Sequence, residues 1–387
     1  MAMSRRRDKI LAAAHHFGSA NAISPVIKLL DRSEHHEVLP FGLRPATIAF
    51  EENGFRFGQW NDFQPLKDST SLEDVTIELA GKVLDAERPD LIFVGSSTEK
   101  EYNGPEKSLV IAGTRRGIPS VGVLDFWGDY ALRVDDLERT IQDGAMPNIL
   151  CVPDEFAKRE FLEKVKLKDE SRLVVTGNPY HDTVLRRAEA ITDSERLTTR
   201  AKMGLPTDRI LFYIANAFKE DEDRHKYWDL DNIRTLGDVV LDRVPEFSVG
   251  ISLHGRMPDS EKQEIADYVG DNPKMWLVDP SEVKPLEGAL VADVVATPFS
   301  TCGIEAAIAG NLVISMQSRY SEDRLPTNQM GVTYRADDVC VVSPLLIGLL
   351  NDSNFKYEVC PNLAGFRPDG KSAERIVEEI DATLGMY

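Results

Sequence analysis

The segment 290–315, LVADVVATPFSTCGIEAAIAGNLVIS, predicts a strand, a tight turn, a helix and a second strand in direct succession. Residues 291–296 form an apolar, β-branched run, which is typical of a buried parallel strand. Ser300 and Thr301 favour the start of a helix, and Gly310 favours its end. Two strands joined through a helix are the repeating unit of α/β folds, so this segment restricts the chain to that class.

Strand and helix patterns alternate along the whole chain, which predicts an α/β architecture with mostly parallel sheets. At 387 residues the chain is longer than one typical domain. The sequence TGNPYHD, residues 176–182, is the best candidate for a linker. We therefore predict an N-terminal domain at 1–180, a C-terminal domain at 181–370 and a closing amphipathic helix at 371–387.

The composition argues against several classes of protein. A net charge of −19 disfavours binding to nucleic acid over a large surface. No apolar run reaches the length of a membrane span, although the basic start at 5–7 leaves peripheral contact with a membrane surface open. The four cysteines form no CxxC pair, which is typical of reduced thiols in a cytoplasmic protein and predicts no zinc site.

The turn at the centre of segment 290–315 is also a candidate anion site. The first N–H groups of a helix can bind a ligand, and the helix dipole favours negative charge there. The residues expected to form this site are Ser300, Thr301, Cys302 and Gly303. Glu305, which we expect in the first helical turn, has a carboxylate that can accept hydrogen bonds from ribose hydroxyls. An ordinary strand–helix turn with a serine cap explains the same residues.

A second candidate site follows another predicted strand, in the peptide LDFWGDYALR at 124–133. Loops at the carboxyl ends of parallel strands line ligand sites in α/β proteins. Aromatic rings stack on the C–H faces of sugars, and carboxylates accept protons from sugar hydroxyls. The residues of interest are Asp125, Trp127, Tyr130 and Arg133. The alternative is that both rings pack between domains and that Asp125 caps a helix.

Two histidines and a carboxylate complete the candidates in the first half. His15 and His16 end the first predicted strand, where alternation directs one toward a ligand and the other into packing. His16 is a candidate base or acceptor contact, and a structural role stays open for both histidines. The strand that ends VGSST is followed by three carboxylates, Glu99, Glu101 and Glu106. We expect most of them to be solvated and Glu99 to face the site.

Three segments resemble the GT-B superfamily of nucleotide-sugar enzymes, in particular UDP-N-acetylglucosamine 2-epimerases and related glycosyltransferases. They are HHFGSANAISPVIKLL at 15–30, LVVTGNPYHDTV at 173–184 and FSTCGIEAAIAGNLVIS at 299–315. The resemblance implies two Rossmann-like domains that face each other across a cleft. It also implies that the first domain binds mainly the acceptor and the second mainly the donor. The substrate-binding candidates in the first loop are Gly18, Ser19 and Asn21.

The resemblance places donor contacts in the second half of the chain. The helix start at Ser300 would bind the donor diphosphate, and Glu305 would bind the ribose. Related transferases often carry a His-Pro motif where this chain has HGR, so His254 and Arg256 are candidate phosphate contacts. The remaining candidates are Asn216 and Lys219 near the phosphates and Arg319 at the donor sugar. A surface salt-bridge cluster explains Arg319 equally well.

No DxD-type motif follows a predicted strand, so we expect no metal and no resident cofactor. A cation such as Arg256 would stabilise the leaving diphosphate in place of a metal. The nucleotide sugar is then a co-substrate.

The chain departs from the epimerase pattern at three catalytic positions. Residues 19–21, Ser-Ala-Asn, stand where the epimerases carry an arginine. Ser96 and Ser97 occupy the position of an aspartate, and residues 215–218 replace a His-Arg pair. A hydroxyl cannot replace a carboxylate in the proton transfer that epimerisation needs. These changes favour a glycosyltransferase over an epimerase.

We therefore predict a metal-independent glycosyltransferase that uses a nucleotide-diphosphate sugar, with a UDP-sugar as first choice, in glycan or polysaccharide biosynthesis. Asp125 is the first candidate for the base that removes the acceptor proton. The candidates for the acceptor are a glycan, a lipid-linked compound and a small molecule that carries a hydroxyl group. A homodimer is also compatible with the sequence. The alternatives are an epimerase-like enzyme that converts or hydrolyses UDP-N-acetylglucosamine, and a non-catalytic nucleotide- or sugar-binding protein.

Overall fold

The computed structural model describes residues 6–67, 74–96, 104–134, 145–206, 209–216, 229–317 and 323–386. The chain divides into two compact units. The first unit comprises Met1–Thr183 and Pro368–Tyr387, and the second comprises Val184–Arg367. Along the chain, the second unit is therefore inserted between two parts of the first.

The first unit contains a six-stranded sheet in the order β2-β1-β3-β4-β5-β6. Its strands are β1 (Asp8–Ala14), β2 (His36–Gly42), β3 (Leu91–Val94), β4 (Ser120–Val123), β5 (Ile149–Val152) and β6 (Leu173–Val175). Its helices are α1 (Phe17–Asp31), α2 (Ala46–Glu52), α3 (Ile77–Glu87), α4 (Pro105–Thr114), α5 (Tyr130–Val134), α6 (Glu155–Val165) and, from the C-terminal segment, α16 (Ser372–Met386). Helix α7 (Pro179–Ala190) crosses into the second unit.

The second unit contains another six-stranded sheet, in the order β12-β11-β10-β7-β8-β9. Its strands are β7 (Arg209–Ile214), β8 (Phe247–Ser252), β9 (Met275–Leu277), β10 (Val294–Thr297), β11 (Leu312–Ser315) and β12 (Tyr334–Arg335). Its other helices are α8 (Asp193–Lys202), α9 (Asp229–Asp242), α10 (Asp259–Gly270), α11 (Pro285–Val291), α12 (Thr301–Ile308), α13 (Pro326–Gln329), α14 (Val339–Asn351) and α15 (Phe355–Val359).

Every pair of neighbouring strands in the two sheets is parallel. The predicted α/β class with mostly parallel sheets is confirmed. Because all the strands of a parallel sheet run the same way, the loops that follow them gather at one edge, and both candidate sites lie in such loops. No helix in the described ranges is long and apolar enough to span a membrane.

Helix α16 completes the hydrophobic core of the first unit. Ile376 and Ile380 are fully buried, and they share one cluster with Ile10, Ala20 and Ile23. The helix is amphipathic because its apolar positions recur at intervals of three and four residues. The C-terminal segment is therefore part of the first unit's core.

The predicted strand at 291–296 is wrong at its start. Pro285 begins helix α11, which runs to Val291, and strand β10 begins only at Val294. A short apolar run cannot be assigned to a strand or a helix from periodicity alone. The sequence signals for this helix were Pro285 at its first position and Glu287, whose carboxylate accepts from the Lys284 N–H over 3.2 Å.

The sequence also predicts a helix that begins at Ala20, a polar helix that continues to about Arg200 and a short strand at 331–333. The structure differs from all three. Helix α1 begins at Phe17 and not at Ala20, because His16 and Ser19 form a capping box. The polar helix predicted to reach Arg200 is two helices, α7 and α8, since Thr192 caps a new start. The short strand predicted at 331–333 lies at Tyr334–Arg335.

Candidate functional site

The loop after β1 passes directly into helix α1. His16 is the N-cap of the helix, and its backbone N–H donates to the Ser19 hydroxyl over 3.3 Å. The same hydroxyl donates to the carbonyl oxygen of His16 over 3.1 Å. Ser19 is buried, whereas Gly18 is exposed and Asn21 is half-buried. The structure thus gives Ser19 the role of a cap and leaves Gly18 at the surface of the site.

Asp125, Ser96 and Arg133 form a compact polar cluster after β3 and β4. Arg133 Nη1 lies 2.7 Å from Asp125 Oδ1 and 2.6 Å from Ser96 Oγ. Ser96 Oγ also donates to Asp125 Oδ1 over 2.9 Å. The side chains of Arg133 and Asp125 are 7% and 13% exposed. One carboxylate oxygen is therefore held by a cation and a hydroxyl.

The other carboxylate oxygen of Asp125 faces the start of helix α1. A Cβ atom placed on Gly18 would lie 2.6 Å from Asp125 Oδ2, far inside van der Waals contact. The main chain of α1 can approach this oxygen only because residue 18 has no side chain. Asp125 and Gly18, two predicted site residues, are thus brought together.

Glu106, which lines one small cavity with Ser96 and Arg133, forms a buried pair with His15. His15 Nδ1 is 2.7 Å from Glu106 Oε2, and the His15 backbone N–H donates to Oε1 over 3.0 Å. Burial works against ionisation of Glu106, but the charge and hydrogen bond of His15 outweigh it, so the pKa of this carboxyl lies below its ordinary value. Glu106 is 2% exposed and belongs to helix α4, so the expectation of a solvated loop carboxylate is wrong for this residue.

Trp127 and Tyr130 of the second candidate peptide are buried in the first unit. The Trp127 indole N–H donates to Asp154 Oδ2 over 2.9 Å, and its ring stacks on His181 with centroids 5.8 Å apart. The Tyr130 ring meets Phe161 edge to face, and burial raises its pKa to about 12. These positions favour the packing alternative for both rings, with the difference that the partners belong to the same unit.

The predicted linker supplies a residue that sequence reasoning missed. Asn178 Nδ2 donates to the backbone oxygen of Asp125 over 3.0 Å, and Asn178 Oδ1 accepts from the Tyr180 N–H over 2.9 Å. His181 is half-buried, and its partial removal from solvent lowers its pKa to about 4, so it is neutral at pH 7. The TGN motif therefore fixes the backbone that carries Asp125. The sequence signal for this role was the side-chain amide of Asn178, which can both donate and accept hydrogen bonds.

In the second unit, the helix start after β10 is formed as predicted. Ser300 is the N-cap of α12, and its Oγ accepts from the Cys302 N–H over 3.3 Å. Thr301 is exposed as the first helical residue. Gly303 is packed tightly, because a Cβ there would lie 2.7 Å from the Thr297 methyl. The arrangement places a helix N-terminus at the carboxyl end of a parallel strand, where an anion is stabilised.

Glu305 lies one turn further along α12 than expected, four residues after Thr301. Its side chain is buried beside Cys302, and the residue is 7% exposed. Burial raises the pKa of Glu305 to about 7, against smaller opposing effects from Cys302 and Arg187. Burial together with Glu305 raises the pKa of the Cys302 thiol well above its ordinary value. At neutral pH the carboxyl can thus both donate and accept hydrogen bonds.

A buried polar network supports this helix start from the neighbouring strand β7. Thr297 Oγ1 lies 2.9 Å from the oxygen of Ile214 and 3.1 Å from Asn216 Oδ1, and it accepts from the Ser300 N–H over 3.3 Å. The Asn216 N–H donates to the carboxylate of Asp229 over 3.2 Å. Thr297 and Asp229 escaped the sequence reasoning because their partners are remote in sequence.

His254 follows β8 and is half-buried, whereas Arg256 is exposed. The Arg256 N–H donates to His254 Nδ1 over 3.2 Å, which makes that nitrogen an acceptor. Burial, and then the charges of Arg256 and Lys262, lower the pKa of His254. A neutral imidazole with a protonated Nε2 can donate a hydrogen bond to a phosphate oxygen, while Arg256 supplies the charge.

The predicted site residues Glu99, Lys219 and Arg319 lie outside the described residues, as do Ser97, Glu101 and residues 217–218. Within the described ranges, no group of three His, Cys, Asp or Glu side chains could hold a metal ion.

No protein-family model and no curated protein matches the sequence. Among solved structures, neighbours that match nearly the whole chain include UDP-N-acetylglucosamine 2-epimerases and GT-B glycosyltransferases. S. aureus MnaA, solved with UDP, matches with 16% identity over 98% of both chains and a TM-score of 0.71. The UDP-GlcNAc 2-epimerase from Neisseria meningitidis, bound to UDP-GlcNAc, matches with 16% identity over 96% of this chain and 99% of its own, with a TM-score of 0.70. A glycosyltransferase from Rickettsia africae matches with 11% identity over 98% and 99%, with a TM-score of 0.63. These likenesses show the GT-B fold.

Proposed function

We propose that this protein is a glycosyltransferase that moves a sugar from a UDP-sugar to an acceptor hydroxyl. The observation that carries the proposal is the start of helix α12, where Ser300 caps the N-terminus and a buried Glu305 lies one turn further on. The helix N-terminus would bind the diphosphate and Glu305 the ribose. The names of the solved neighbours, which include complexes with UDP and UDP-GlcNAc, support the choice of a uridine nucleotide.

In the proposed reaction, the acceptor oxygen forms a bond to the anomeric carbon while the bond from that carbon to the UDP oxygen breaks. UDP leaves with the bonding electron pair. The N–H groups of α12 and the Arg256 guanidinium would stabilise the leaving diphosphate. Asp125 would take the acceptor proton on Oδ2, because Oδ1 is held by Arg133 and Ser96.

A second candidate is an epimerase-like enzyme acting on UDP-N-acetylglucosamine. It is favoured by the TM-scores, which are 0.70 and 0.71 for two UDP-N-acetylglucosamine 2-epimerases and 0.63 for a transferase. Ser96 argues against it, since this hydroxyl stands where the epimerases carry an aspartate and is engaged by Arg133. The transferase is therefore our first choice.

Two measurements separate these functions. Thermal unfolding with UDP, GDP, CDP and CMP tests the donor site, and a ligand at about a hundred times its Kd adds about 2.7 kcal/mol to the free energy of unfolding. UDP-GlcNAc is then incubated without an acceptor. We expect selective stabilisation by UDP and only slow conversion of the sugar nucleotide. Rapid formation of the C2 epimer or of free sugar would establish the second candidate instead.

The turnover assay adds a mixture of glycoside acceptors and follows the release of UDP. Acceptor-dependent release supports the transferase. Binding of UDP with no release under any condition would identify a non-catalytic nucleotide-binding protein. Loss of UDP stabilisation in Glu305→Ala, with the fold intact, would tie either outcome to helix α12.

A further inference from the structure

A cavity of about 200 Å³ lies beside the carboxyl end of β2 in the first unit. One wall is the turn from β2 into α2, which contains Arg44, and the other is the segment 57–66. The Ala46 N–H donates to the carbonyl oxygen of His15 over 3.2 Å, so the wall is joined to the strand end that carries the candidate base His16. The cavity is therefore adjacent to the candidate catalytic residues of this unit.

Trp60, which lines the cavity, carries a buried donor that nothing in the described chain satisfies. The residue is 2% exposed, and its Nε1 has no acceptor among the described residues. The ring is held in place by an edge contact with Phe41, with centroids 5.2 Å apart. A buried N–H without an acceptor is costly, so a bound group that accepts from Trp60 would be favoured.

The rest of the lining supplies both kinds of hydrogen-bonding group. Thr47 and Glu51 are four residues apart on α2 and therefore lie on the same face of that helix. Arg44 brings donors, and Gln59 brings an amide that can donate and accept. Phe57 adds an aromatic ring. The charges of Arg44 and Glu51 are opposite, which disfavours a strongly anionic ligand such as a nucleotide diphosphate.

The size limits the occupant. Pockets that bind drug-sized ligands have volumes of roughly 300–1,000 Å³, so a cavity of about 200 Å³ suits a single ring. A neutral ring with several hydroxyl groups needs donors, acceptors and an apolar face together. We propose that this cavity binds one sugar ring of the acceptor. The assignment to the acceptor rests on the proposed transferase function, whereas the binding of a neutral sugar ring does not.

The test is an NMR titration of protein labelled with ¹⁵N at its four tryptophan indoles. Trp60→Phe identifies the Trp60 signal by its loss and should fold normally, because that N–H makes no bond in the described chain. The probes are the methyl glycosides of glucose, galactose, mannose and N-acetylglucosamine. We expect at least one to shift the Trp60 signal in a saturable way.

Arg44→Ala should weaken that glycoside at least tenfold, because a hydrogen bond from a charged group is lost. Arg56→Ala is the matched control, since Arg56 is exposed, close in sequence and outside the lining, and it should leave the affinity unchanged. Failure of every glycoside to move the Trp60 signal would overturn the proposal. Equal affinities in the two arginine variants, or a Trp60 shift that UDP produces as strongly, would also overturn it.

UDP stabilisation of the same samples keeps the two proposals apart. Stabilisation by UDP without any glycoside shift refutes the sugar cavity and leaves the proposed function intact. A glycoside shift that depends on Arg44, without stabilisation by any nucleotide, supports a sugar site and refutes the transferase.

Discussion

Gly18 and Asp125 lie so close together that there is no room for a methyl group between them. A Cβ at residue 18 would lie 2.6 Å from Asp125 Oδ2. The two residues come from loops after β1 and β4, and the contact puts the oxygen proposed as the base beside the start of helix α1. The proposed chemistry therefore depends on a glycine inside a helix, where glycine is otherwise unfavourable.

Gly18→Ala should lower turnover without lowering stability. Alanine favours the helix by about 1 kcal/mol over glycine, whereas its methyl group displaces the Asp125 carboxylate. The measurements are the rate of UDP release and the midpoint of thermal unfolding. Gly270→Ala is the control, because Gly270 ends helix α10 and a Cβ there meets nothing within 4 Å. Unchanged turnover in Gly18→Ala would show that Oδ2 does not act in the reaction.

Asp125→Asn tests the base directly. The amide oxygen can still accept from Ser96 and Arg133, but it cannot take a proton, so kcat should fall by a factor of roughly 10²–10⁴. The nearly buried Arg133 loses its counter-charge, which should cost on the order of 1–3 kcal/mol in the free energy of unfolding. UDP stabilisation should persist because the donor is assigned to the second unit. Full turnover would exclude Asp125 as the base.

The raised pKa of Glu305 should make the free energy of unfolding depend on pH. Burial raises its pKa from the ordinary 4.5 to about 7 in the folded protein, so the folded state keeps a proton that the unfolded state loses. The contribution of Glu305 to stability is therefore largest below pH 4.5 and declines as the pH rises to about 7. The decline amounts to roughly 3 kcal/mol, from the 1.36 kcal/mol that one pKa unit represents.

Urea unfolding of Glu305→Gln across this range checks the sign. The amide stays neutral, so the variant should lose the decline and become more stable than the parent above pH 7. Glu282→Gln serves as the control, since Glu282 is exposed in the same unit. Parallel curves for the parent and Glu305→Gln would contradict a raised pKa at this residue.

Thr297→Val removes the hydroxyl that joins β7, β10 and the start of α12 while keeping the shape of the side chain. The oxygen of Ile214 and the Ser300 N–H each lose a partner, which should cost about 1–3 kcal/mol. UDP should bind more weakly because the cap is no longer fixed. Isothermal calorimetry with UDP and thermal unfolding measure the two effects, with Thr198→Val on the exposed face of α8 as the control. If the variant bound UDP as tightly as the parent, the polar network around Thr297 would have no role in UDP binding.

The fold class was predictable because the strand and helix signals are local. The Ser300 cap follows from capping preferences alone, and the apolar run at 291–296 predicted strand β10 but not the residue at which it begins. Contacts between distant segments were not predictable in this way. Glu106 was expected in solvent because nothing within α4 indicates that His15, 91 residues earlier, pairs with it. Trp127 was read as a sugar platform because the sequence does not show that Asp154 and His181 enclose it.

The position of α16 in the core of the first unit sets the order in which the two units can be completed on the ribosome. Residues 184–367, the whole second unit, must be translated before Ile376 and Ile380 can bury their partners in the first. At about 5–20 residues per second, this takes roughly 10–40 s. During that interval the first unit exposes the apolar surface that α16 later covers, and by its end the second unit has all its strands. The part of the chain that is made first is therefore the last to close its core.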